Sequence, residues 1–409
     1  MSQGSPEFLA TADAIGARLC RDALWAGSRC NWIGSSMEFV ERSWRPVHRS
    51  FGAEFYNGTS GIALFLDRLF ALTQVSDYRR CATGALEQAL SRSSEFPSTT
   101  RAGFYSGLTG VAFVAFELGQ ADVALRLLKT LLDDDPQGQD LDVISGSAGA
   151  IPALLAIHQR CGEDFLVELA MRHGEHILQT ARRNGDAWSW NTLRLAAGHD
   201  LTGFSHGTSG IAWALLELFR KTGEFNYKRA ALHALAYERQ CFSLQHGNWP
   251  DFRSLNEQNP PGSGEPSYAM AWCHGAPGIG LSRLRAYTIL KEDWCRDEAE
   301  VALRTTLPYL REPLLRSQNF SLCHGLGGNC ELALYAAQVL GDENARLAAD
   351  QAGWYGIEAF RRTAAPWPCG VLDAGETPNL MLGLAGIGYF YLRLHDLEGV
   401  PSALIVLPA

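Results

Sequence analysis

No stretch of this 409-residue chain approaches the roughly 20 consecutive apolar residues that a bilayer-crossing helix requires, which excludes a membrane span of that kind. The first residues, Met1-Ser-Gln-Gly-Ser-Pro-Glu7, lack the basic start and apolar run of a secretory signal, so a cytoplasmic location is expected. Clustered Lys and Arg are missing too. With 35 basic against 44 acidic residues the net charge is −9, which argues against a phosphate-reading, nucleic-acid-binding surface. The ten cysteines show no regular close spacing, which excludes a disulfide framework and predicts reduced thiols. The hydrophobic fraction of 46% with 19% charged residues is that of a folded globular protein.

What the chain does have is a repeat. Gly-x-x-Gly occurs at Gly58, Gly107, Gly146, Gly207, Gly275, Gly325 and Gly383, at intervals of 39 to 68 residues, the spacing of units built from two helices and a variable connection. Each motif opens an apolar run, such as Ile62-Ala-Leu-Phe-Leu66 or Ile211-Ala-Trp-Ala-Leu-Leu216. These runs are apolar on every side and poor in β-branched residues, so they predict inner helices buried by neighbours. More amphipathic stretches lie between them: 121–132, 165–182, 227–242, 296–307 and 343–360 predict outer helices. The fold expected is all-α, an α/α toroid of seven inner and seven outer helices. Residues 1–28 form a lead-in with an outer helix and residues 29–409 one domain. Gly4-Ser-Pro-Glu-Phe8 reads as an added linker and carries no weight in this assignment. Parallel inner helices would direct their N-terminal partial positive charge at one central cavity. The proline-rich stretch 247–266 is the expected substrate-facing loop or lid.

If every motif starts a helix at the axis, the residues just before it line the cavity. Those pairs are Tyr56-Asn57, Tyr105-Ser106, Ile144-Ser145, Ser205-His206, Cys273-His274, Cys323-His324 and Met381-Leu382. Two neighbouring units thus supply Cys-His and a third supplies His, a donor set suited to zinc with one coordination position left open. Spacing alone leaves His274 and His324 as alternative third ligands. Tyr56, Tyr105 and Trp272 are the expected aromatic walls for a peptide. His199-Asp200, His246 and Asp251 have no comparable setting. No Asp-rich metal motif and no carboxylate pair stands at the helix starts, which excludes terpene-cyclase and glycosidase chemistry there.

The segments Phe55-Tyr-Asn-Gly-Thr-Ser-Gly61, Asp142-Val-Ile-Ser-Gly-Ser-Ala-Gly149, Gly203-Phe-Ser-His-Gly-Thr-Ser-Gly210, Ala271-Trp-Cys-His-Gly-Ala-Pro-Gly278, Ser321-Leu-Cys-His-Gly325 and Leu382-Gly-Leu-Ala-Gly-Ile-Gly388 resemble the lanthionine synthetase cyclase family. The chain is most similar to the C-terminal cyclase domain of class II lanthipeptide synthetases, from about Arg29-Cys-Asn-Trp32 onward. The resemblance implies Zn2+ on Cys273, Cys323 and His324, with His206 and Asp142 as acid/base residues. Some relatives carry an arginine shortly before the first zinc cysteine. Ser267-Tyr-Ala-Met-Ala271 has none, and His274 is the candidate to fill that role. The implied activity adds a peptide Cys thiol to dehydroalanine or dehydrobutyrine, forming a lanthionine or methyllanthionine ring. Its partners would be a dehydrated precursor peptide and a dehydratase, either fused or separate. Alkylation of another thiol such as glutathione, and a non-catalytic zinc-stabilised peptide-binding scaffold, are the alternatives.

Overall fold

The computed structural model describes residues 4–40, 43–194, 199–256, 264–312 and 319–407. Residues 257–263, the proline-rich part of the loop named above, lie outside the described residues. The seven motifs start seven inner helices: α2 (Thr59–Thr73), α4 (Leu108–Glu117), α6 (Ser147–Cys161), α8 (Thr208–Thr222), α11 (Ala276–Leu290), α13 (Leu326–Leu340) and α15 (Leu384–His395). They pack side by side in that order, and α15 returns to α2 to close the ring. The outer partners are α3 (Ser76–Ser91), α5 (Ala121–Lys129), α7 (Phe165–Thr180), α9 (Phe225–Cys241), α12 (Asp293–Arg311) and α14 (Glu343–Gly356). The architecture is an α/α toroid. Neighbours on all sides bury the inner helices, which is why they are apolar all round; in α15 every residue is buried. Pairs such as Glu331 with Arg393 and Glu217 with the part-buried Arg285 join neighbouring inner helices charge to charge.

The seventh outer helix is α1 (Pro6–Arg21), which packs on α15 and so joins the two ends of the chain. Ser5 caps it, and Phe8, inside the segment taken for a linker, is buried against Trp354 and Tyr391. Of that segment Phe8 belongs to the core. The boundary expected at residue 28 falls in the turn of a hairpin joining β1 (Leu24–Ala26) to β2 (Arg29–Asn31). Two more antiparallel hairpins, β3 (Ile33–Val40) with β4 (Ser43–Ser50) and β5 (Arg182–Asn184) with β6 (Ala187–Ser189), decorate the helices. A four-residue helix, α10 (Arg253–Asn256), sits in the long loop.

Both glycines of each motif are sterically required. The first is the helix N-cap, and only Gly275 among the seven needs a positive φ, of 92°. At the second, a Cβ would lie 1.8 to 2.2 Å from the carbonyl oxygen six residues earlier, because the loop folds back onto the first turn of its own helix. The same fold-back brings loop carbonyls to the first helical N–H groups: Thr59 donates to Gly52, Leu108 to Arg101, Ser147 to Asp140 and Leu384 to Thr377. The helix starts therefore spend leading N–H groups on their own loops, and the expected helix-end charge facing the cavity is reduced accordingly.

Candidate active site

The motif loops are tied to one another by their main chains. Tyr56 donates to Tyr105, Tyr105 to Ile144, Val143 to Ser205, Ser205 to Cys273, Cys273 to Cys323, Cys323 to Met381 and Met381 back to Tyr56, with N···O distances of 2.8 to 3.3 Å. This closed ring of hydrogen bonds holds equivalent slots of the seven repeats in a circle. It makes neighbours of residues that the sequence separates by fifty positions, Cys273 and Cys323.

A cavity of about 420 Å³ opens over the ring, lined among others by Tyr56, His206, Arg253, Cys273, Cys323 and His324. The two cysteine side chains line it together. The neighbouring Cys323, together with Arg253, draws the Cys273 pKa down against the effect of burial, while Cys273 and burial push the Cys323 thiol up. Tyr56 lines the same cavity, and its phenol is pushed well above its ordinary value by burial and then by the neighbouring Cys323. His324 is exposed on the same wall. Its Nε2 lies 3.0 Å from the Gly370 carbonyl, which only accepts, so Nε2 carries the hydrogen and Nδ1 the lone pair. Desolvation lowers its pKa, favouring the neutral ring.

Opposite stands an oriented imidazole. Asp142, buried in the loop before α6, accepts from His206 Nδ1 at 2.6 Å through Oδ2 and from the Ser145 amide at 2.7 Å through Oδ1. Asp142 thus closes its own turn and positions His206 at once. With Nδ1–H committed to the carboxylate, Nε2 is the position of His206 that exchanges protons.

Three expected residues lie elsewhere. Tyr105 and Trp272 are buried beneath the ring, their rings 5.3 Å apart. The Tyr105 hydroxyl and the Trp272 indole donate to the carbonyls of Ala403 and Leu404. The C-terminal tail, returning after α15, thus occupies the axis below the cavity. His274 is 1% exposed, its Nδ1 is 3.2 Å from the Thr202 carbonyl, and burial followed by Arg253 pushes its pKa down to about 3. It is a neutral second-layer ring, 5.9 Å from His206 between centroids.

Arg253 was not singled out in the sequence. It lines the cavity from α10, and Asp251 grips it through Nε at 3.0 Å and Nη2 at 2.7 Å. Burial works to raise the Asp251 pKa, but Arg253 outweighs it and holds the carboxylate low. The only hint in sequence was the position of Arg253 in the loop expected to face substrate.

The profile described as Lanthionine synthetase C-like protein matches residues 50–405. The chain belongs to this family. It is 24% identical over 373 residues to the lacticin 481/lactococcin biosynthesis protein LcnDR2 of Lactococcus lactis subsp. lactis, covering 85% of this chain. The match spans 36% of that protein, so the chain corresponds to about a third of its length. The nisin biosynthesis protein NisC of the same organism is 23% identical over 303 residues, 67% of this chain and 71% of NisC. Among solved structures, a nisin cyclase superposes with a TM-score of 0.64 at 17% identity, covering 85% of this chain and 90% of that one. A family 76 mannosidase from Bacteroides thetaiotaomicron, at TM-score 0.55 and 11% identity, shares the fold alone.

The donor chemistry of the wall fits zinc. Two cysteine thiols line one cavity with an imidazole whose far nitrogen is held by a carbonyl, the usual support of a metal-binding histidine. Among the described residues no three His, Cys, Asp or Glu are already gathered as a cage. A larger cavity of about 780 Å³ lies along α7, away from all seven slots.

Proposed function

We propose that this chain is a zinc-dependent lanthipeptide cyclase, adding peptide Cys thiols to dehydroalanine or dehydrobutyrine of a dehydrated precursor. The observation that carries this reading is the meeting of the Cys273/Cys323 pair and the His206–Asp142 couple in one cavity. Cys273, Cys323 and His324 would hold zinc, which when bound supplies the positive charge that lowers the pKa of an incoming thiol. Two thiolate ligands leave little Lewis acidity for activating water, which favours sulfur alkylation over hydrolysis.

The remaining work falls to this chain's own side chains. His206 Nε2 takes the thiol proton and returns it to the α-carbon after the sulfur has attacked the β-carbon, so that the S–H proton ends on carbon and nothing is lost. Asp142 holds the ring in the tautomer this requires and offsets its charge while protonated. Arg253, immobilised by Asp251, offers a fixed cation to the negative charge that develops on the carbonyl oxygen of the dehydro residue. His274 packs behind the pair and fixes the geometry. Residues 29–409 act as one body with α1, in a cytoplasm where the ten free cysteines stay reduced, and a dehydratase supplies the alkene.

The test is metal content by elemental mass spectrometry for the wild type and Cys323→Ala, followed by mass and thiol analysis of a dehydrated Cys-containing peptide. About one zinc per chain, lost in the variant, together with loss of the free thiol at unchanged peptide mass, is the expected result. A wild type that holds no zinc after reconstitution overturns the zinc reading.

A further inference from the structure

A second cavity of about 380 Å³ adjoins the first, and Asn57 and Ser106 line both. Its other walls include Glu54 before the first motif, Arg49 at the end of β4, and Arg92 and Phe96 after α3. One oxygen of Glu54, Oε2, is buried and has no hydrogen-bond partner. Gly52 makes room for this carboxylate: a Cβ there would lie 2.2 Å from Oε2. Arg92 does not satisfy it, because its guanidinium is engaged by Glu95 through Nε at 2.9 Å and Nη2 at 2.6 Å, and its Nη1 faces the Phe51 carbonyl. A walled pocket thus holds an acceptor without a donor, beside the cavity where the reacting groups sit. Burying such an oxygen is unfavourable unless something donates to it.

We propose that this second cavity is a subsite for the peptide substrate. The chain that places a dehydro residue near Cys273 and Cys323 continues over Asn57 and Ser106, and Glu54 Oε2 receives an N–H from it. The donor is a peptide nitrogen, either a main-chain amide or a lysine ammonium. Phe96 and Pro97 supply apolar contact beside it. The inference rests on the peptide-cyclase reading but is tested apart from it.

The probes are two. One is a labelled octapeptide holding dehydroalanine, a lysine three residues before it, and serine in place of cysteine, so that binding is read by anisotropy without turnover. The other is the small pair N-acetyl-dehydroalanine methylamide and N-acetylcysteine methyl ester, too short to span both cavities. Zinc-loaded wild type, Glu54→Gln and Glu54→Ala are compared after confirming equal melting temperatures. Loss of a charged hydrogen-bond partner should weaken octapeptide binding roughly tenfold or more. The cysteine-containing octapeptide should likewise lose its kcat/KM advantage over the small pair. Replacing the lysine by alanine reproduces the loss in wild type if the ammonium is the donor, and leaves binding intact if the amide is. Equal octapeptide binding by all three proteins overturns the subsite, even where small-probe turnover upholds the cyclase. Glu54-dependent binding without any turnover upholds the subsite and sinks the cyclase reading. Wild type that neither binds nor turns over any probe overturns both.

Discussion

Gly278→Ala should distort the ring of loops, because its added Cβ would lie 1.9 Å from the Trp272 carbonyl oxygen and 2.7 Å from Phe204 Cβ. Ordinary contact begins near 3.4 Å, so the loop or the helix start must move by about 1.5 Å. Trp272 precedes Cys273, whose amide donates to Cys323 and whose carbonyl accepts from Phe204 and Ser205, while the Trp272 indole donates to Leu404. A shift of that size strains all four bonds, each worth about 1 kcal/mol net, on top of an overpacking cost of about 1–3 kcal/mol. With partial relaxation the sum is about 3–5 kcal/mol. Unfolding entropy near 2.1 cal/mol/K per residue turns this into a melting-temperature drop of about 4–6 °C for a chain of this size. Far-UV circular dichroism melts should show it, and the displaced Cys273 should lower zinc retention in parallel. Gly375→Ala is the control, since a Cβ at Gly375 meets nothing within 4 Å. A Gly278→Ala melt within 1 °C of wild type would refute the reasoning that the second glycine is sterically obligatory.

Four further outcomes are expected. His206→Ala and Asp142→Asn should each lower kcat for cyclisation by about 10²–10⁴ while zinc content stays at the wild-type level, read by elemental analysis beside steady-state kinetics. Arg253→Met should lower kcat more than it raises KM, because a cation facing developing charge acts mainly on the transition state; a change confined to KM would contradict this. Removing residues 403–409 exposes the contacts of buried Leu404, Ile405 and Val406 and strips Tyr105 and Trp272 of their acceptors. The expected loss is at least about 5 kcal/mol, seen as poor soluble yield or a melt lowered by several degrees. His173 is buried against Ser147 and its pKa is pushed down to about 3 by desolvation, then by His176 and Arg172. The unfolded chain therefore binds this proton first: the contribution is intact above about pH 6.5 and erodes by about 1.4 kcal/mol per pH unit down to about pH 3. His173→Gln should flatten that part of the urea-midpoint profile between pH 6 and 4, and an unchanged slope would count against it.

The repeat was legible because it is written in local backbone demands. A glycine that must clear the carbonyl six residues earlier recurs wherever a helix starts at the axis, and an apolar run follows because an inner helix has no solvent face. The candidate site was legible to the same depth. Residues before each glycine share one slot, so Cys273, Cys323, His324 and His206 could be placed at one end of the molecule before any coordinate was known. Tertiary structure alone decided which slot side chains meet the cavity. Tyr56 lines the cavity with Cys323, whereas Tyr105 and Trp272 turn beneath the ring because the C-terminal tail offers them carbonyl acceptors there. Sequence spacing likewise carried no sign that Asp251 would hold Arg253 beside the thiols, or that α1 would close the toroid against α15, since both join segments that no periodicity links. Periodicity encodes the shape of one unit. The inward or buried fate of each side chain depends on partners that arrive only when the ring closes.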